Sequence, residues 1–169
     1  MGEISYEEQE LLQAMQDSNI FSEETLYFTR QYFSMVDINI SDADVAHAEG
    51  LLRELSYILS HIAPDAVTIE EKMSALSKST PKAKKNFLGL LARFFRVFIN
   101  GAAFTVDSDS DFVMVVDTDG HRIPILPKSS LVPLLKTSDF LVAANKITVP
   151  INLYKDGVKK MTLTFSFQI

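Results

Sequence analysis

The chain is 169 residues long and has no cysteine, with 16 Lys and Arg against 22 Asp and Glu. Without thiols it has no disulfide framework, no thiolate zinc site and no cysteine nucleophile, and it fits a reducing compartment. At 47% hydrophobic and 22% charged, the composition is that of a soluble globular chain long enough to bury a sizeable core.

The net charge of −6 hides a partition along the chain. Residues 1–71 hold 15 acidic side chains and two basic ones, Arg30 and Arg53. Residues 72–106 hold seven basic side chains and no acidic one. Five aspartates and no base follow in 107–119, and residues 120–169 carry seven bases and two acids. Such segregation implies either that acidic and basic segments neutralise each other within the fold, or that one block meets a charged partner. The first is favoured, because opposite surface charges pair readily though weakly.

The N-terminus, Met1-Gly2-Glu3-Ile4-Ser5, lacks the apolar run of a secretion signal. A myristoylation start fails because Tyr6 stands where Ser or Thr is needed. The most apolar stretch, 87–104, contains Arg93 and Arg96 and is too short and too charged to span a bilayer. A cytoplasmic setting is the expectation.

The first hundred residues predict helices. Ser5 and Glu8 have capping-box spacing, and a helix runs to about Asp17 with Leu11, Leu12 and Met15 apolar. Ser22 opens a second helix with Glu23 and Glu24 in its first turn. Its apolar positions are Leu26, Tyr27, Phe28, Tyr32, Phe33 and Val36. Ser41 opens a third, in which Val45, Ala48, Leu52, Leu55, Leu59 and Ile62 repeat at three and four residues. Leu51 and Ile58 widen that stripe, and Pro64 ends the helix. Thr68 and Glu71 cap a short fourth helix.

Thr80 as N-cap, Pro81 at the first helical position and Asn100-Gly101 as the stop mark a fifth helix over 81–99. Phe87, Leu91, Phe94 and Phe98 form one stripe; Lys82, Lys85, Gly89, Arg93, Arg96 and Asn100 form the opposite one. A basic amphipathic helix can lie on an anionic membrane or dock in a partner's groove. It is more readily a core helix whose solvated basic side faces the acidic helices.

After Gly101 the pattern changes to strands. Residues 102–106 and 112–116 are β-rich, and Thr118-Asp119-Gly120 fits a three-residue hairpin loop that pairs Val115 with Ile123 and Val113 with Ile125. Near the C-terminus, Ile147, Val149, Ile151 and Leu153 alternate with polar or small residues, as do Met161, Leu163, Phe165, Phe167 and Ile169. A Lys155-Asp156-Gly157 loop pairs Ile151 with Met161 and Val149 with Leu163. The remaining face has no charge: Thr162, Thr164, Ser166 and Gln168 stand opposite Thr148, Pro150, Asn152 and Tyr154. An uncharged strand of this kind needs a cover, from the chain's own helices or from a partner subunit. Residues 127–144 are ambiguous, with Phe140–Ala144 a strand or a helical turn.

Chemistry is sparse. His47 and His61, fourteen residues apart on one helix, stand roughly 21 Å from each other, too far to share a metal. No nucleophile elbow, P-loop or dinucleotide fingerprint occurs. Asp107, Asp109 and Asp111 resemble the start of a calcium loop, but Phe112 and Thr118 occupy the positions that need Gly and Glu. A strand over 112–116 separates them from Asp117 and Asp119 by roughly 16 Å. These three aspartates are therefore weak metal candidates, and no cofactor is expected.

The expected fold is α+β, with a helical part over 1–100 and a small antiparallel sheet of hairpins over 101–169, preferably as one body. Nucleic-acid binding lacks support in an acidic chain with a short basic stripe. The favoured function is non-catalytic: interaction with a protein partner or self-association. Its candidate surfaces are Lys82, Lys85, Arg93 and Arg96, with Thr162, Thr164, Ser166 and Gln168. The alternatives are a peripheral membrane-surface protein using the same cations, and an enzyme with a site near His121.

Overall fold

The computed structural model describes the backbone of residues 3–106, 111–127, 141–143, 146–155 and 158–168, with side chains over 3–80, 82–102 and 111–127. Five helices precede six strands: α1 (Tyr6–Ser18), α2 (Glu23–Met35), α3 (Asp42–Ile62), α4 (Ile69–Ser77) and α5 (Pro81–Arg96), then β1 (Ala103–Val106), β2 (Phe112–Val116), β3 (Arg122–Pro127), β4 (Leu141–Ala143), β5 (Lys146–Lys155) and β6 (Val158–Gln168). The class is α+β.

Each helix starts where a short polar side chain can take up an orphan N–H. Ser5, Ser22, Ser41, Thr68 and Thr80 all accept from the backbone three residues on. Ser5–Glu8 and Ser41–Asp44 close reciprocal boxes. α5 ends three residues earlier than expected. The Val97 and Phe98 N–H groups turn inward to the carbonyls of Phe94 and Phe95. That tightened turn leads into Gly101, which has a φ of +65°.

The sheet has the order β3-β2-β1-β6-β5-β4. Two antiparallel meanders, β1-β2-β3 and β4-β5-β6, meet where β1 runs parallel to β6, with Phe104 beside Phe165 and Val106 beside Phe167. Residues 141–143 are a strand, not a helical turn.

Both expected hairpin registers need correction, for one physical reason. In β2–β3, Val115 does pair with Ile123, but Val113 pairs with Leu126, because the register slips between Val113 and Met114. In β5–β6, Lys155 pairs with Val158, so only two residues intervene, and Tyr154 pairs with Lys159. That loop alone would set odd residues against even ones. A bulge at Lys160 restores parity, giving Leu153 with Met161, Ile151 with Leu163 and Val149 with Phe165. In β5–β6 odd residues therefore still pair with odd ones, displaced by two residues, whereas in β2–β3 the slip sets Val113 beside Leu126 in place of Ile125.

The buried side chains of all the helices and of β2 and β3 form one contiguous cluster. Leu11 and Met15 of α1, Leu55 and Leu59 of α3, Met73 and Leu76 of α4, and Phe87, Phe94 and Phe95 of α5 are its largest enclosed members. Phe21 stacks on Phe94 and meets Phe95 edge-on, with ring centroids 5.6 and 5.9 Å apart. α2 lies against β3, and α5 approaches β5.

α2 buries two threonines together with most of its apolar residues, Leu26 and Val36 also packing on the core, and leaves two aromatic rings outside. Thr25, Thr29, Tyr32 and Phe33 are buried, while Tyr27 and Phe28 face solvent and contact each other. The threonines are tolerated inside because their hydroxyls are used. Thr25 donates to the Ile125 carbonyl on β3, and Thr29 donates to the Thr25 carbonyl.

Candidate functional site

The densest polar cluster among the described residues lies in the loop between β2 and β3. Thr118-Asp119-Gly120 forms the expected turn: the Gly120 N–H donates to the Asp117 carbonyl, and Gly120 has a φ of +90°. Inside the turn, Asp117 Oδ1 accepts from the Asp119 and His121 N–H groups, each at 2.9 Å. Asp117 Oδ2 accepts from the Tyr32 hydroxyl at 3.0 Å and lies 2.9 Å from His121 Nδ1. A carboxylate only accepts, so Nδ1 carries the hydrogen in that contact.

Burial pushes the Asp117 carboxyl up, but the donors from His121, Tyr32 and Asp119 outweigh it and hold the carboxyl below its ordinary value. Burial, and then the bond to Asp117 and the charges of Asp117 and Asp119, push the Tyr32 phenol up. The His121 ring meets Tyr32 edge-on at 5.9 Å.

The loop is anchored on its other side as well. The Thr118 N–H donates to the Asn100 carbonyl at 3.3 Å. A Cβ on Gly101 would stand 2.6 Å from Thr118 Cγ2. The cluster thus clasps the hairpin to α2 and to the segment after α5.

Asp117, Asp119 and His121 could each offer a ligand atom, and these atoms lie within 4.8 Å of one another. A carboxylate has about four lone-pair positions, and four donors already fill those of Asp117. An ion there would have to displace Tyr32 or His121. Asp111 is exposed, while Asp107 and Asp109 lie outside the described residues. Tyr32 is the member that sequence reasoning missed. It is 85 residues from Asp117, and no local pattern distinguishes it from its apolar neighbours.

The basic stripe of α5 takes the solvent side. Lys82, Lys85 and Arg93 are exposed and Arg96 is half-buried, while Phe87, Leu91, Phe94 and Phe98 are buried. Among the described residues, Lys82, Arg93 and Arg96 have no ion-pair partner on the acidic helices.

Crevices lie on both sides of α3. One, of about 370 Å³, is lined by Ala14, Asp17 and Ser18 of α1 with Glu49, Leu52, Arg53 and Ser56 of α3. The other, of about 620 Å³, is lined by Gly50, Arg53, Glu54, Tyr57 and Ile58 of α3 with Leu90 of α5. Arg53 borders both, so they open on the same exposed face of α3.

Thr162, Thr164, Ser166 and Gln168 are paired by register with Asn152, Pro150, Thr148 and Lys146. Their side chains lie outside the described residues. Among the described residues, no helix is long and apolar enough to cross a membrane. Comparison of the chain with family models, with curated proteins and with solved structures returns no match.

Proposed function

We propose that this chain is a non-catalytic interaction or assembly protein of the cytoplasm, working through the solvent face of its helical layer. One observation carries this reading. Lys82, Arg93 and Arg96 line the outer side of α5 and have no ion-pair partner among the described residues, although the same chain holds a strongly acidic segment. Unpaired cations aligned on a rigid helix favour an anionic partner and speed encounter with it.

A protein partner fits this helix better than a lipid surface does. An interfacial helix inserts an apolar face beneath the headgroups. The aromatic face of α5 is committed to the core, with Phe94 and Phe95 fully enclosed, leaving cations alone for the membrane. An enzymatic reading would rest on His121 and Asp117. Their geometry favours a structural role, since the carboxylate is saturated by the loop and Tyr32.

A photo-crosslinking side chain placed at Arg93, and as a control at the exposed Val67, tests the proposal in the native cell. Discrete protein adducts at position 93, absent at 67, are expected. Equal labelling at both positions, or none at either, contradicts it.

A further inference from the structure

We propose that the surface formed by α1, α3 and α5 is self-complementary, and that two copies of this chain associate across it about a two-fold axis. The inference rests on the interaction reading above and names its partner as a second copy. α3 packs on α1 along one side and on α5 along the other. Arg53, exposed and bordering both crevices, shows that α1 and α5 flank the same open face of α3.

The two flanks have opposite sign. On α1, Glu7, Glu10, Ala14 and Asp17 recur at three and four residues, which places them on one line. Ala14 and Asp17 put that line beside α3. The exposed Tyr6 phenol is pushed up chiefly by Glu10, and further by the charges of Asp42 and Glu7. Those carboxylates therefore act on one locality. On α5, Lys82, Asn86, Leu90 and Arg93 share a line by the same spacing, and Leu90 puts it beside α3.

An acidic edge and a basic edge therefore run on either side of α3. A two-fold rotation over α3 brings each copy's basic edge to the other's acidic edge, so both junctions are attractive at once. The strip between them carries Arg53 with Glu49 and Glu54, and Tyr57, which is 71% exposed and stacked on His61. A large exposed aromatic with mixed charges around it suits the centre of such a contact.

Sedimentation velocity of the full chain at low and at high salt tests this, with two charge-reversed variants. One carries Lys82→Glu and Arg93→Glu; the other carries Glu10→Lys and Asp17→Lys. The native chain should dimerise at low salt and dissociate at about 0.5 M salt, where screening is nearly complete beyond a few ångströms. Each variant alone should be monomeric, with association weakened about tenfold or more. An equimolar mixture of the two variants should form a heterodimer, because each then meets an edge of opposite sign. That recovery also establishes that both variants are folded.

A native chain that stays monomeric at low salt and high concentration overturns the proposal. So does a dimer indifferent to both reversals. Salt-sensitive co-sedimentation of a monomer with vesicles of phosphatidylcholine and phosphatidylserine, lost in the Lys82/Arg93 variant, overturns it in favour of lipid. If self-association fails while Arg93 still crosslinks to a different protein in cells, the interaction reading survives and only the choice of partner falls.

Discussion

Tyr32 on α2 donates its hydroxyl to Asp117 at the start of the β2–β3 loop, across 3.0 Å and 85 residues of sequence. Both side chains are buried, and the bond ties the helical layer to the sheet in addition to the Thr25 hydroxyl's bond to the Ile125 carbonyl. Replacing Tyr32 by Phe removes the donor but leaves the carboxylate with three others. The expected loss is about 1–2 kcal/mol. Asp117→Asn is harsher. Its amide nitrogen either opposes the two loop N–H groups or turns to Tyr32 and His121, where the hydroxyl must then accept and the imidazole must switch tautomer, and in both arrangements the charge that strengthens these bonds is gone. A loss of about 2–3 kcal/mol is expected. The double variant should fall short of the sum by about 1 kcal/mol in urea unfolding. Strict additivity would mean that the two groups do not interact.

The same pair makes stability depend on pH at both ends of the scale. Asp117, held below its ordinary value, binds its proton less readily folded than unfolded. Its contribution is complete above about pH 4, the unfolded value, and is lost as the pH falls through the lower folded value. Tyr32, pushed up, keeps its proton better folded than unfolded. Its contribution is complete below about pH 10 and is lost as the pH rises from there towards the folded value. The stability gap between the native chain and Tyr32→Phe should therefore be flat from about pH 5 to 9 and narrow on either side. A gap of constant size from pH 3 to 11 would contradict this assignment.

How much was legible follows from distance along the chain. Ser5, Ser22, Ser41, Thr68 and Thr80 act on N–H groups three residues away, so all five helix starts can be read locally. The Asp-Gly turn at 119–120 is equally local. The parallel seam of Phe104 with Phe165 depends on which free edges remain after each meander has formed, and no short window records that. Bulges at Lys160 and beside Val113 resist prediction for another reason. One extra residue costs little in a hairpin when it returns apolar side chains to one face. At the candidate site, His121 and the Asp-Gly turn stood out, but the partnership with Tyr32 did not. Likewise the charge sequence exposed a basic stripe on α5, and only the placement of Arg53 between two crevices revealed that α1 and α5 flank one surface.

Two glycines with positive φ separate two kinds of strain. Gly120 sits at +90° with open space where a Cβ would go, so Gly120→Ala meets only the backbone penalty, about 1–2 kcal/mol. Gly101, at +65°, adds an approach of 2.6 Å to Thr118 Cγ2. Gly101→Ala should cost at least about 1 kcal/mol more than Gly120→Ala. Adding Thr118→Ser deletes that methyl group and should recover most of the difference, leaving the backbone penalty. If Thr118→Ser recovers nothing, the close approach is not what holds position 101 to glycine.

Opposite faces of α2 give the last comparison, because each carries an aromatic ring and only one of the two rings is inside. Phe33 is 4% exposed and meets Phe98 edge-on at 5.3 Å, whereas Phe28 is 43% exposed and touches Tyr27. Phe33→Ala should cost about 3–5 kcal/mol, since it opens a cavity against Phe98 in the core. Phe28→Ser should cost under about 1 kcal/mol, the scale of a surface ring contact. Thr25→Val keeps the side-chain shape but removes the donor to the Ile125 carbonyl, so about 1 kcal/mol is expected despite the gain in hydrophobicity. Guanidinium unfolding of the three variants orders them directly. If Phe28→Ser proved costlier than Phe33→Ala, α2 would be turned about its axis, and Tyr32 could not reach Asp117.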